Sequence, residues 1–366
     1  MSDICIIGAG IQGCSTALAL AKAGADVVVV EREYPGRQSS GLNAGGVRRM
    51  GRDAPEVPLS IASHALWMKI EEIVDDDCGF VICANISIAE TEEELMAAKK
   101  HVSDLEAQGY DHETTISVDE VLELEPRIAP GFVGAIHCPG DGFASPFRTT
   151  HAYFKKAQSL GVTFHLPEEV QTVRPEGGRW VVTTDQRELR ANTLVNCAGA
   201  WGNQIAGQVG APTPVRKEAP MMMITARTAP FMNAVLGFEG RRLSLKQRSN
   251  GTVLIGGGYR GQVNETGLRS SLNIDGLRQN AETVLRLYPF LEGLPVVRAW
   301  SGVEGMTPDG IPIISRCCAH ENVFHAFGFS SHGFQLGPII GDIMSQLITD
   351  GKTDHPIEPF DIKRFL

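Results

Sequence analysis

Ile4-Cys5-Ile6-Ile7-Gly8-Ala9-Gly10-Ile11-Gln12-Gly13 opens the chain, and its reading decides the fold. Four apolar residues form a short buried strand, and three glycines follow in a G-x-G-x-x-G spacing. A helical pattern rich in Ala and Leu then runs to about Ala23, and a second apolar strand, Asp26–Val30, is closed by Glu31. This is a βαβ unit of roughly 30 residues. Gly8 permits the tight turn, Gly10 lets a pyrophosphate approach the backbone, and Gly13 packs helix against strand. The helix starting at Ile11 and Gln12 presents free N–H groups and the positive end of its dipole to phosphate. Glu31 lies 18 residues after Gly13, where a carboxylate accepts hydrogen bonds from ribose hydroxyls, with Arg32 beside it. The fingerprint serves NAD and FAD equally, so the choice rests on other segments.

Outward from this unit the chain is irregular and rich in Gly and Ser over 37–46, and a helical pattern follows over 60–74. A charged helix is expected over 90–108, another over 149–160, and the strands of a small sheet over 163–182. A buried strand at 194–197 stops at Ala198-Gly199-Ala200-Trp201. The stretch from about 215 to 298 reads as β-rich, with a hairpin marked by Ser249-Asn250-Gly251. After a strand at 323–327 and a glycine turn at 328–333, a last helix is expected from about Pro338 to Ile348. No repeat, low-complexity tract or linker separates these segments, so the domains are expected to interleave.

Composition narrows the function classes. At 366 residues the chain is long enough for two packed domains. A formal charge of −10 argues against a nucleic-acid surface, so an anionic ligand would need a local cationic patch. Seven Arg or Lys residues do fall in two short segments, 48–52 and 241–248. No apolar run approaches the ~18 residues that span a bilayer, and the N-terminus enters a strand without a signal pattern. Eight cysteines show neither metal-ligand nor secreted-framework spacing, which reads as reduced thiols in a cytoplasmic protein. No metal site is expected.

Four further segments carry a family resemblance. Ser39-Ser40-Gly41-Leu42-Asn43-Ala44-Gly45-Gly46 is followed by Leu194-Val195-Asn196-Cys197-Ala198-Gly199-Ala200-Trp201. Then come Thr307-Pro308-Asp309-Gly310-Ile311-Pro312 and Gly328-Phe329-Ser330-Ser331-His332-Gly333-Phe334. In this order they resemble the D-amino-acid oxidase superfamily of FAD enzymes, in particular its sarcosine, dimethylglycine and glycine oxidase branch, over essentially the whole chain. The resemblance implies an α/β fold with a Rossmann-like FAD-binding domain (1–85, 140–215 and 299–366). That domain interleaves with an α+β substrate domain (86–139 and 216–298), whose large mixed or antiparallel sheet covers the flavin. It assigns Gly8, Gly10, Ile11, Gln12, Gly13, Glu31 and Arg32 to the adenosine diphosphate. Ser39, Ser40, Asn43, Ala44, Gly45 and Gly46 would run past pyrophosphate and flavin, Val170 would meet adenine, and Ala198, Gly199 and Trp201 would line the dinucleotide. Gly302, Gly333, Phe334 and Gln335 would border the ring.

The chain departs from these relatives where they hold flavin and substrate. Gly302 stands where sarcosine oxidase-like relatives carry the cysteine that tethers flavin, so non-covalent FAD is expected. Gln335 replaces their carboxylate-anchoring lysine, and Glu304 lies nearest the position where glycine oxidase-like relatives use arginine. An unpartnered buried carboxylate costs several kcal/mol, so an acidic substrate needs other cations. The candidates are Arg48, directly after the flavin loop, and Arg242, Lys246 and Arg248, which share a strand face by period 2 unless that face is merely solvated. Glu304 would meet the substrate amine or cap a loop, and His332 would face the flavin or support its turn. Arg48, Lys246, His332 and Glu304 are thus the candidate catalytic residues, and Arg48, Arg242, Lys246, Glu304 and Gln335 the candidate substrate contacts. Leu254 occupies the position of a lysine that speeds reaction with oxygen in the relatives, a role open to Lys246 on the facing strand. The expected reaction is oxidation of a sarcosine- or iminodiacetate-like secondary amine by hydride transfer to flavin, with oxygen or another acceptor completing the cycle. D-amino-acid, hydroxyproline and 2-hydroxy-acid dehydrogenation are the alternatives, and a second, partnering chain is left open.

Overall fold

The computed structural model describes residues 2–366. Among them, five parallel strands form the centre of an eight-stranded sheet, in the order Thr163–His165, Val27–Val30, Ser2–Ile7, Glu188–Asn196 and Val323–Phe327. Val27–Val30 is buried along its whole length, as a parallel strand covered on both faces must be. Ile313–Arg316 adds an antiparallel edge. Val170–Glu176 and Arg179–Thr184 form a hairpin that continues onto the first half of Glu188–Asn196. The segment 163–182 therefore extends the dinucleotide sheet and is no separate small one. Thr163–His165 and Val170–Glu176 lie at edges of this sheet, and Val170–Glu176 is mostly exposed.

On one face of this sheet the helices Ile11–Lys22 and Gly333–Thr349 share a core. Glycines on the second helix allow the close approach: a Cβ at 337 would sit 2.7 Å from Ile11 Cδ1, and one at 341 would sit 2.7 Å from the Ser15 carbonyl. That helix begins five residues before Pro338. The proline's missing N–H costs only one bond, early in the helix. The expected helix over 60–74 is two, Val57–Trp67 and Ile70–Val74, because Lys69 leaves helical geometry between them while the apolar pattern runs on.

A second eight-stranded sheet has the order 296–301, 221–227, 252–256, 244–247, 235–238, 85–89, 134–138 and 114–116. Only the pair 235–238 and 85–89 is parallel. The hairpin marked by Ser249-Asn250-Gly251 joins Ser244–Gln247 to Thr252–Gly256. Ile86, Leu236, Leu245 and Ile255 turn one face of this sheet onto Val284 and Leu287 of the helix Ile274–Leu287. The opposite face looks into a cavity of about 590 Å³ that it shares with the carboxyl ends of the dinucleotide strands. All eight cysteines are free. Among the described residues no helix is long and apolar enough to cross a membrane.

Candidate active site

The first strand ends at Gly8, whose φ is +102°, and a Cβ there would sit 2.5 Å from the Cys197 carbonyl. Only glycine lets these two strand ends close over the turn. Ile11 donates its backbone N–H to Ser40 Oγ at 3.0 Å, which ties the helix N-terminus to the loop 39–46. Glu31 accepts from the Ala9 N–H at 2.8 Å and the Glu33 N–H at 2.9 Å, while burial pushes its carboxyl above the ordinary range. Arg32 lies 4.1 Å over the Trp201 ring, and Lys217 stacks there also. Val170, Ala198 and Gly199 complete this end of the cavity lining.

These residues fit a bound dinucleotide. Gln12 Oε1 and Trp201 Nε1 are buried without a partner and belong to lining residues, so polar ligand groups have positions to fill. Gly13 and Gly45 stand behind the lining. A Cβ at 13 would sit 1.9 Å from the Gly8 carbonyl, and Gly45, at φ +74°, turns the loop under Asn43, whose Oδ1 accepts the Gly45 N–H at 2.6 Å.

At the far end Gly302, Gly333 and Phe334 reach the cavity, but Gln335 and His332 do not. Gln335 is buried, donating to the Ser60 carbonyl at 2.8 Å, while its own carbonyl accepts from Trp67 Nε1 and Ser63 Oγ. It clamps the last helix to Val57–Trp67 and cannot anchor a substrate. His332 Nδ1 lies 2.7 Å from a carboxylate oxygen of the fully buried Glu56. Burial and the neighbouring Arg52 lower the pKa of this imidazole.

Cations line the part of the cavity that faces the second sheet. Arg48 lines the cavity and donates to the Met50 carbonyl at 2.6 Å, whereas Arg49 turns away to Asp141 at 3.0 Å. Lys246 is 1% exposed and donates to the Ala44 carbonyl at 2.9 Å, so it grips the loop 39–46 from the second sheet. Its cross-strand partner is Leu254. Arg242 does not join this wall. The strand starts at Ser244, and Arg242 is exposed, bonded to the Gly258 carbonyl. Arg248 also lies beyond the strand. Glu304 lines the cavity with its carboxylate held by the Ser331 N–H and Oγ at 2.9 and 3.0 Å, and burial raises its pKa.

Several lining residues were not singled out in the sequence. Arg52 is 5% exposed, donates to the Arg48 carbonyl, and leaves Nη1 without a partner. Burial, then the charge of Arg48, pushes its guanidinium down to about 9. Its spacing of four from Arg48 was a visible signal. Asn85, Ser87 and Arg260 also line the cavity, and isolated residues of these types carry no such signal.

Burial pushes the Lys246 ammonium down to about 7. In the unfolded chain it titrates near ~10.4. Between these values the unfolded chain holds a proton that the folded chain lacks, so this group makes stability rise with pH across that window. Below pH 7 both states are protonated, and the folded chain bears the full cost of the buried charge. Lys246→Met should therefore stabilise the substrate-free protein at pH 6, by on the order of 5 kcal/mol. The gain should shrink as pH approaches 10. Thermal melts of both proteins across this range check it, and a gain independent of pH would count against a buried, titrating lysine.

A family model described as DAO, FAD dependent oxidoreductase, matches residues 3–347. The chain is 26% identical over 377 residues to glycine oxidase of Geobacillus kaustophilus, covering 100% of this chain and 97% of that protein. The crystal structure of glycine oxidase from the same organism superposes with a TM-score of 0.92 at 25% identity, covering 100% of this chain and 99% of that one. That of L-proline dehydrogenase from P. horikoshii gives 0.91 at 28%, covering 100% and 97%.

Proposed function

As the chain belongs to the DAO family of FAD-dependent oxidoreductases, we propose that it oxidises the C–N bond of a small N-substituted amino acid, sarcosine- or iminodiacetate-like. FAD, when bound, supplies a hydride acceptor that oxygen or another acceptor later reoxidises. The chain's own residues hold and orient the reactants. Gly8, Gly10 and the N-terminus of Ile11–Lys22 would take the pyrophosphate, and Glu31 the ribose. Arg48, Arg52 and Lys246 would bind the substrate carboxylate, with Glu304 accepting a hydrogen bond from the amine. The observation that carries this reading is the convergence of three buried or half-buried cations on one cavity of a protein whose net charge is −10. The names of the glycine and proline enzymes above support an amino-acid substrate.

Amine and hydroxy-acid chemistry differ in their pH response, because only a deprotonated amine readily gives up hydride. The rate of anaerobic flavin reduction at saturating substrate should rise with pH through the amine's ionisation. A rate flat in pH would favour the 2-hydroxy-acid alternative.

The FAD is held without a covalent bond. Among the described residues, the cavity lining has no histidine or tyrosine, and its one cysteine, Cys197, has its thiol pushed up to about 12 by burial. At Gly302 a Cβ would meet Leu42 Cδ1 at 3.0 Å, which leaves little room for a tethering side chain. Acid denaturation should leave a colourless pellet and release FAD to the supernatant. Flavin that stays with the chain contradicts the claim.

A further inference from the structure

Asn85 is 6% exposed and lines the cavity, and its side-chain amide has no hydrogen-bond partner among the described residues. It stands on Asn85–Ala89, where every second residue faces the cavity, so Ser87 follows it on the same face. Ser87 is engaged with Glu239, which leaves Asn85 as the free polar group of this strand. Val235 pairs with Asn85, and Leu236 pairs with Leu245, which sets Val235 opposite Lys246 on the next strand. The cavity roof therefore carries a row of amide, isopropyl and ammonium.

We propose that Asn85 is a specificity-determining residue that binds a second carbonyl or carboxylate group, borne on the nitrogen substituent of the substrate. This rests on the N-substituted amino-acid reading above and names what the substituent must carry. Two strand spacings, about 10 Å, separate the Cα atoms of Asn85 and Lys246, and both side chains line the cavity, so a short ligand with a polar group at each end meets both. Val235 then packs against the methylene groups of the ligand. An amide left without a partner under a purely aliphatic substituent would be penalised, and such unpaired polar groups are how sites reject analogues that lack the matching group.

The test compares iminodiacetate, its monoamide and N-isobutylglycine, the apolar analogue of matching shape, as anaerobic reductants of the flavin in wild type, Asn85→Leu and Asn85→Asp. Wild type should half-saturate with iminodiacetate and the monoamide at concentrations about 10-fold lower than with N-isobutylglycine. Asn85→Leu should bring the three within about 2-fold. Asn85→Asp, which keeps the shape of the side chain, should weaken iminodiacetate further by charge repulsion while sparing the monoamide. If all three reduce the flavin but the ratios do not change with residue 85, the role of Asn85 is wrong and the amino-acid reading stands. If none of them reduces it, both fall.

Discussion

Gly10→Val is expected to yield a folded protein that carries no flavin. Gly10 has φ −70° and an extended ψ, which any residue adopts, so the substitution does not strain the backbone. A Cβ there would sit 2.8 Å from Ser40 Oγ. The valine displaces the hydroxyl that accepts the Ile11 N–H and fills the space that a pyrophosphate needs against the helix N-terminus. Loss of this approach should weaken FAD binding at least 100-fold, about 3 kcal/mol. The ratio of flavin to protein absorbance measures occupancy, and far-UV circular dichroism confirms the fold. A folded Gly10→Val protein as yellow as wild type would contradict the assignment of this turn.

Arg48→Gln is expected to raise the half-saturating substrate concentration by one to two orders of magnitude while FAD content stays normal. A charge-assisted contact between guanidinium and carboxylate contributes roughly 1.5–3 kcal/mol. Arg48 already spends one donor on the Met50 carbonyl, and burial lowers its pKa, so a carboxylate partner would offset that desolvation. Lys246 adds a pH dependence of definite sign. With its ammonium down to about 7, the free site loses positive charge as pH rises past neutrality, and affinity for an acid should fall with it. Lys246→Arg should keep affinity level to higher pH. Steady-state or anaerobic titrations of the three proteins from pH 6 to 9 decide the matter. Unchanged saturation in Arg48→Gln would remove it from the anchor.

That Gly8, Gly10 and Glu31 gather at one cavity was readable in advance. Gly8, Gly10, Gly13 and Glu31 sit at fixed offsets within one βαβ unit, and the motif 39–46 lies next in the chain, so local order brings them together. The face shared by Ser244 and Lys246 was also readable, because strand period sends alternate residues to opposite sides. Arg242 was misplaced because a period does not mark where a strand begins. His332 lies in, and Gln335 follows, a glycine turn that does reach the cavity, yet their side chains are claimed by Glu56 and Ser60, which come from the distant segment 56–60. Asn85 lies some 160 residues from Lys246 in sequence, and only sheet order places them in one row. Such partners carry no local signature.

The most direct test of the central claim is anaerobic bleaching of the bound flavin by a panel of iminodiacetate, sarcosine, D-alanine, D-proline, lactate and an uncharged secondary amine. Reading the reductive step alone removes any assumption about the acceptor. N-substituted amino acids should bleach the flavin at the lowest concentrations, with lactate and the uncharged amine ineffective. Bleaching by lactate alone, or by the uncharged amine as readily as by the acids, would contradict the account.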